Sequence, residues 1–200
     1  MKRVKNDANE VLLFMDASHF VMGCDFLGRV YSRTRRFVKT FSGRRRFNVL
    51  GALDFVTGKV LTVTNDSYIT ATQVCEMLRK ISAEYAGKTV CVILDNARYQ
   101  KCQAVRELAL ELGIELLYIP PYSPNLNLIE RFWKFVKGEL RSKYYDNFSL
   151  FQKAINNLIQ SATEKNRNRV AKLIGEKVQL FDDLRPINEN TFVSLKSHAS

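Results

Sequence analysis

The chain has little of what a zinc site, a disulfide framework or a membrane span requires. Only two residues are histidine, His19 and His198, and the four cysteines form no Cys-x-x-Cys pair. These residues are too few and too scattered for a zinc site, so any metal is expected to have oxygen ligands. The cysteine pattern is typical of a reduced, cytoplasmic protein. No apolar run approaches the ~20 residues of a membrane span, so we expect no membrane partner.

Acidic residues are scarce relative to basic ones. The 31 Lys and Arg exceed the 20 Asp and Glu, which leaves a formal net charge of +11. This excess favours a polyanionic partner, because each neutralised phosphate releases condensed counterions. A basic protein without such a partner is the alternative.

Eight cations with no acidic residue between them form a basic flap at residues 28–46: Arg29, Arg33, Arg35, Arg36, Lys39, Arg44, Arg45 and Arg46. We interpret the basic flap as a DNA-contacting loop, and a solvated loop is the alternative.

The order of apolar runs and turn signals predicts an α/β domain. Predicted strands lie at residues 11–15, 47–55, 59–64, 89–94 and 114–119, and predicted helices at 70–85, 103–112, 127–141 and 149–163, with Asn127 as a helix cap. A hairpin followed by alternating helices and strands predicts a mixed five-stranded sheet with helices on both faces. We divide the chain into a basic lead-in (1–10), a main domain (11–165) and a partly loose C-terminal extension (166–200).

Three acidic residues are distinguished by their positions. Asp16 and Asp95 each follow an apolar strand-like run, and Glu130 begins a predicted helix. If the two strands are parallel neighbours, both aspartates reach one crevice at the carboxyl ends of the strands. Three carboxylates at one site repel unless hard cations such as Mg²⁺ or Mn²⁺ neutralise them, and two such ions suit phosphodiester cleavage or transfer. We therefore predict a catalytic two-metal site at these residues, although each alone is more often a turn, cap or surface residue.

The predicted Glu130 helix has an apolar and a charged face. An apolar stripe is expected to pack on the sheet: Ile129, Phe132, Val136 and Leu140. Trp133 borders both faces, and core packing is favoured over stacking on a base. Glu130, Lys134, Lys137 and Arg141 fall on the other face, where the three cations are predicted to contact a phosphate backbone. The alternative is an ion pair within the helix between Glu130 and Lys134, worth only about 0.3–0.5 kcal/mol.

At these residues the chain resembles the catalytic domain of mariner-superfamily transposases, from the bacterial insertion-sequence branch. The matching motifs are FMDASHF, ILDNARYQK and IPPYSPNLNLIERFWKFVK, and the 34 residues from 96 to 129 that separate Asp95 from Glu130 are typical of that family. The resemblance implies a ribonuclease H-like catalytic domain with an Asp-Asp-Glu triad and Mg²⁺-dependent strand cleavage and transfer, with Mn²⁺ as a substitute. It also implies terminal inverted repeats and TA target DNA as partners, a homodimer on DNA, and a nucleoid-associated location in a bacterium.

The chain departs from the family pattern at Ala17, Gln100 and Leu128, where many relatives have glutamate, histidine and proline. None of the three is a triad residue, so these departures affect the exact positioning of groups around the site and not the metal site itself. Relatives carry helix-turn-helix modules before the catalytic domain, whereas Asp16 lies close to residue 1. We therefore expect recognition of the repeats by a separate helix-turn-helix polypeptide or by residues upstream. A stand-alone ribonuclease H-like nuclease or resolvase, and a catalytically retired DNA-binding remnant, are the alternatives.

Overall fold

A mixed sheet runs through the middle of the molecule. The computed structural model describes residues 9–22, 45–120, 126–141 and 143–164. The elements are β1 (Glu10–Val21), β2 (Arg46–Asp54), β3 (Val60–Asn65), α1 (Ala71–Glu84), β4 (Thr89–Leu94), α2 (Gln103–Glu111), β5 (Ile114–Tyr118), α3 (Ile129–Leu140) and α4 (Phe148–Glu164). The strand order is β3-β2-β1-β4-β5. The β1–β4 and β4–β5 pairs are parallel, and the β1–β2 and β2–β3 pairs are antiparallel.

Two apolar layers cover the two faces of the sheet. In β1, Leu13 and Met15 pack in the layer that includes α1 and α2, whereas Leu12 and Phe14 pack in the layer that includes α3 and α4. Because side chains alternate along a strand, Asp16 falls on the α3 side. The prediction of a five-stranded mixed sheet flanked by helices on both faces is confirmed.

Two local predictions were wrong. The strand predicted to end before Asp16 continues to Val21, because residues 16–21 pair with β2 between Gly51 and Arg46. Asn127 does not cap α3: Leu128 occupies the cap position and makes no side-chain cap hydrogen bond. Both errors arise from contacts with residues distant in sequence.

Parts of the predicted organisation fall outside the described residues. These include most of the basic flap and the whole C-terminal extension, so the three proposed segment boundaries stay predictions. Within the described residues, Cys75, Cys91 and Cys102 are free thiols. No helix in the described ranges is long and apolar enough to cross a membrane.

Candidate active site

The parallel pairing of β1 with β4 brings two aspartates to one edge of the sheet. Met15 and Leu94 are partners in this ladder, and Asp16 and Asp95 are the next residue on each strand. Both aspartates are half-buried. The Oδ1 atom of Asp95 accepts a hydrogen bond from the backbone N–H of Ala97 at 3.0 Å, which orients the carboxylate where the chain leaves β4.

Glu130 reaches this edge because α3 packs closely over Gly51. Gly51 is the β2 partner of Asp16. A Cβ atom at Gly51 would lie 2.5 Å from Cζ2 of Trp133 and 3.0 Å from Cδ1 of Ile129. A larger residue would therefore push α3, and Glu130 with it, away from the sheet.

A buried asparagine also fixes the beginning of α3 next to Asp16. Asn127 is 3% exposed, and its Nδ2 donates to the carbonyl of Met15 at 3.2 Å. Its own carbonyl accepts from the backbone N–H of Glu130 at 3.1 Å. One residue thus connects the backbone that precedes Asp16 with the first turn of α3.

The three carboxylates influence one another electrostatically. The pKa of Asp16 is raised to about 7, mainly by burial and then by the charges of Asp95 and Glu130, against the lowering effects of a backbone hydrogen bond at Ala17 and the charge of Lys137. Partial burial and then the charge of Asp95 raise the pKa of Glu130. This arrangement disfavours three simultaneous negative charges, and a bound cation would reverse that effect.

The two predicted faces of α3 are confirmed. Its apolar stripe is buried, and Trp133, which is 4% exposed, packs in the core rather than standing free for a ligand. Lys134, Lys137 and Arg141 are exposed. Within the described residues no ion pair joins Glu130 to Lys134, which removes the support for the intrahelical alternative.

Lys137 is the cation of α3 with the clearest link to the carboxylates. Its charge lowers the pKa of Asp16, and its Nζ lies 5.7 Å from the centroid of the Phe20 ring. Phe20 stands on β1, four residues beyond Asp16 and on the same face. A phosphate bound near Asp16 would therefore meet a positive charge that is already in position.

Two cations of the basic flap are within the described residues. Arg45 lies with its guanidinium 4.8 Å from the ring centroid of Phe148 on α4, and Arg46 is the exposed first residue of β2. The remaining six lie outside the described residues: Arg29, Arg33, Arg35, Arg36, Lys39 and Arg44. The DNA contacts assigned to the basic flap stay a prediction.

The donor atoms of the triad have the right chemistry for a hard divalent cation. All three side chains offer carboxylate oxygens, which suit Mg²⁺ and Mn²⁺ better than soft metals. In the described part of the chain, however, no three His, Cys, Asp or Glu side chains are arranged so that they could hold a metal ion. The role of Asp16, Asp95 and Glu130 as metal ligands therefore stays a prediction.

The sequence did not lead us to the positioning role of Gly51. It also led us to predict Asn127 as a helix cap, whereas this residue connects α3 to β1. A lone glycine within an apolar strand signals a close approach by another part of the chain, and that signal was available. The sequence around Asn127 offers no such signal, because the Met15 carbonyl that accepts its hydrogen bond lies 112 residues away along the chain.

Comparison with known proteins identifies the class to which this fold and site belong. A family model described as "DDE superfamily endonuclease" matches residues 11–152, a segment that includes all three triad positions. The chain belongs to this family. An insertion element IS630 protein of 39 kDa from Shigella sonnei is 31% identical over 99 residues, covering 48% of this chain and 29% of that protein.

Solved transposase structures share the fold. A mariner Mos1 paired-end complex with Mg has a TM-score of 0.57 at 16% identity, over 90% of this chain and 60% of that one. A Mos1 transposase catalytic domain with raltegravir and Mn has a TM-score of 0.55 at 14% identity, over 90% of both chains. The expected ribonuclease H-like fold and the resemblance to mariner-type insertion-sequence proteins are confirmed. The chain spans less than two thirds of the IS630 protein and of the Mos1 chain in the paired-end complex.

Proposed function

We propose that this chain is the catalytic domain of a DNA transposase, which cleaves DNA strands at the ends of a mobile element and joins them to target DNA. The observation that carries the proposal is the convergence of three elements on one sheet edge. β1, β4 and α3 bring Asp16, Asp95 and Glu130 there, inside the segment matched by an endonuclease family.

We propose Mg²⁺, with Mn²⁺ as a substitute, as the metal bound by the triad, with two ions at the working site. The raised pKa of Asp16 supports a cation-dependent carboxylate cluster, and related Mos1 complexes contain Mg or Mn. Bound ions would supply activation of the attacking oxygen and charge relief on the leaving oxygen. Asp16 would be held by the sheet, Asp95 by the Ala97 hydrogen bond, and Glu130 by α3.

The cations of α3 are proposed to position the DNA backbone. Lys134, Lys137 and Arg141 are exposed and follow Glu130 at intervals of three and four residues, so a strand passing the triad would meet them in succession. Such contacts set the register of the DNA and carry little sequence information. Arg45 and Arg46, at the beginning of β2, would extend this basic surface.

The DNA partners are proposed to be the terminal inverted repeats and a TA target, bound by a homodimer. The similar Mos1 structures include paired-end complexes, and the net charge of +11 suits a polyanion. Recognition of the repeats is proposed to come from a helix-turn-helix unit, supplied by a separate polypeptide or by residues upstream.

The proposal is tested with a labelled duplex that carries the repeats flanking the gene, incubated with target DNA and Mg²⁺ or Mn²⁺. Because recognition of the repeats is assigned to a helix-turn-helix unit outside this chain, wild type alone should cleave and join this duplex weakly and with little preference for the repeat sequence. Asp95→Asn and Glu130→Gln should abolish both reactions while DNA binding remains. Glu111→Gln, which neutralises an exposed carboxylate on α2, is the matched control and should react normally.

Each contrary result has a distinct meaning. Cleavage without joining, in the presence of suitable ends and target, would favour a nuclease or resolvase. Normal cleavage by Asp95→Asn or Glu130→Gln would remove that residue from the catalytic site. DNA binding with no metal-dependent chemistry would favour the retired remnant.

A further inference from the structure

A polar cleft of about 570 Å³ lies between α4 and the strands β2 and β3. We refer to it as the α4 cleft. Hydroxyl, amide and charged side chains make up most of its lining, including Thr64, Asp66, Ser149, Lys153 and Asn156. All five of these residues are exposed. The α4 cleft is therefore open to a polar ligand from solution.

The α4 cleft is on the face of the sheet that carries Asp16. Phe47 lines the cleft and packs in the apolar layer that includes α3 and α4, and Phe20, its partner on β1, packs in the same layer. Phe20 is four residues beyond Asp16 on the same face, or about 13 Å along the strand. Nζ of Lys137 lies 5.7 Å from the Phe20 ring centroid, and its charge acts on Asp16. A series of contacts thus leads from the triad through Lys137 and Phe20 to the cleft.

Two cations are placed at the α4 cleft. Lys153 is part of its lining. Arg45 has its guanidinium 4.8 Å from the ring centroid of Phe148, the residue that precedes Ser149 of the lining. These two positive charges lie beyond Lys137 as seen from the triad, so they continue the basic surface of α3.

Asp66 is the only acidic side chain among the described lining residues of the α4 cleft. Its Oδ1 accepts a hydrogen bond from Nε2 of Gln152 at 2.7 Å. A neutral amide does not cancel the charge of a carboxylate, so Asp66 should oppose the binding of an anion in this cleft. Its effect on affinity is therefore opposite in sign to that of Lys153.

The lining suits the backbone of DNA better than a base. A base is bound by stacking on an accessible ring, and the one aromatic residue in the described lining, Phe47, is only 3% exposed. Lysine, arginine, hydroxyl and amide groups are the usual contacts of phosphate and sugar oxygens.

We propose that the α4 cleft binds the sugar–phosphate backbone of the DNA duplex whose strand enters the triad, with Lys153 and Arg45 as phosphate contacts. This inference rests on the proposed function. The 13 Å between Asp16 and Phe20 correspond to about four nucleotides, at about 3.4 Å per nucleotide along one strand. The cleft therefore holds phosphates about four or more nucleotides from the cleaved bond. Such contacts fix the orientation of the duplex and carry no sequence information.

The first test removes the lining cation. The affinity of the whole chain for a labelled duplex of about 20 base pairs is measured by fluorescence anisotropy in EDTA, so that no chemistry occurs. Lys153→Ala should weaken binding and reduce the slope of log affinity against log salt by about 1, so that the advantage of wild type falls about 3- to 4-fold between 50 and 200 mM salt. The matched control is Lys88→Ala, which removes an exposed cation before β4, at the opposite end of the sheet.

The second test removes the opposing charge. Asp66→Asn keeps an oxygen that can accept the hydrogen bond from Gln152, and it should strengthen binding of the same duplex about two- to threefold. This gain corresponds to the repulsion of two unit charges ~7 Å apart at the dielectric constant of water. The matched control is Glu111→Gln, which makes the same change in charge on α2 and should leave the affinity unchanged.

Equal effects of Lys153→Ala and Lys88→Ala, or of Asp66→Asn and Glu111→Gln, would mean that only net charge matters and would overturn the proposal. No binding of the duplex by wild type would also overturn it. An effect of Lys153→Ala that depends on the DNA sequence would refute the assignment to the backbone.

These binding measurements are independent of the cleavage test. A wild type that cleaves and joins DNA while both cleft variants bind like their controls would refute this site and leave the proposed function intact. Binding that depends on Lys153 and Asp66, without metal-dependent chemistry, would do the reverse.

Discussion

Neutralising Asp16 should stabilise the metal-free protein at neutral and alkaline pH while abolishing its activity. The pKa of Asp16 is about 7 in the folded protein against 3.8 for the unperturbed group, so the folded state keeps a proton that the unfolded chain releases. This contribution to stability is fully present below about pH 4 and is lost as the pH rises through about 7. Above pH 7 the folded protein therefore contains a half-buried, charged carboxylate that disfavours folding.

The size of the effect follows from the pKa difference. At about 1.4 kcal/mol per pKa unit, a rise of the Asp16 pKa from 3.8 to about 7 lowers the free energy of unfolding at high pH by at most ~4 kcal/mol. Partial solvent contact of the carboxylate reduces this, so we expect Asp16→Asn to raise the free energy of unfolding by about 2–4 kcal/mol at pH 8. The corresponding rise in melting temperature is about 5–15 °C for a domain of this size. At pH 4 the two proteins should be nearly equal in stability.

The assay is urea unfolding of wild type and Asp16→Asn at pH 4, 6 and 8 in EDTA, repeated with Mg²⁺ at pH 8. Mg²⁺ should stabilise wild type more than the variant, because ligands that bind only the folded state add stability. Asp146→Asn, which removes an exposed carboxylate, is the control. A stability difference between Asp16→Asn and wild type that does not change with pH would refute the reasoning, and so would equal stabilisation of both by Mg²⁺.

Two further predictions concern the support of the site and its contact with DNA. Gly51→Ala should cost about 1–3 kcal/mol of stability and lower activity, because the new Cβ meets the Trp133 ring at 2.5 Å. Gly138→Ala on α3 should instead stabilise by up to about 1 kcal/mol, because no atom lies within 4 Å of the new Cβ apart from the adjacent residues and the backbone of the helix itself. Similar unfolding curves for the two variants would contradict this account. Lys137→Ala should weaken DNA binding and reduce the slope of log affinity against log salt by about 1, measured by titration from 50 to 200 mM salt. An unchanged slope would mean that Lys137 does not contact phosphate.

The sequence by itself determined the elements and the residues worth testing. Alternation and helical periodicity are local properties, so the strands that precede Asp16 and Asp95 and the two faces of the Glu130 helix could be predicted from short windows. A parallel arrangement of the first and fourth strands was predicted as a condition for the site, and the β1–β4 ladder confirms it. The triad's identity as a metal site is still a prediction.

Tertiary structure alone decided how the site is supported. β1 continues past Asp16 because β2 pairs with it, and Asn127 leaves its expected cap role because the carbonyl of Met15 lies within reach. Asn48 of β2 donates a hydrogen bond to the Ser67 carbonyl in the loop before α1, and these two segments have no sequence pattern in common. Local periodicity specifies which residues form a helix or strand, whereas hydrogen bonds and close contacts between distant segments form only once the chain is folded.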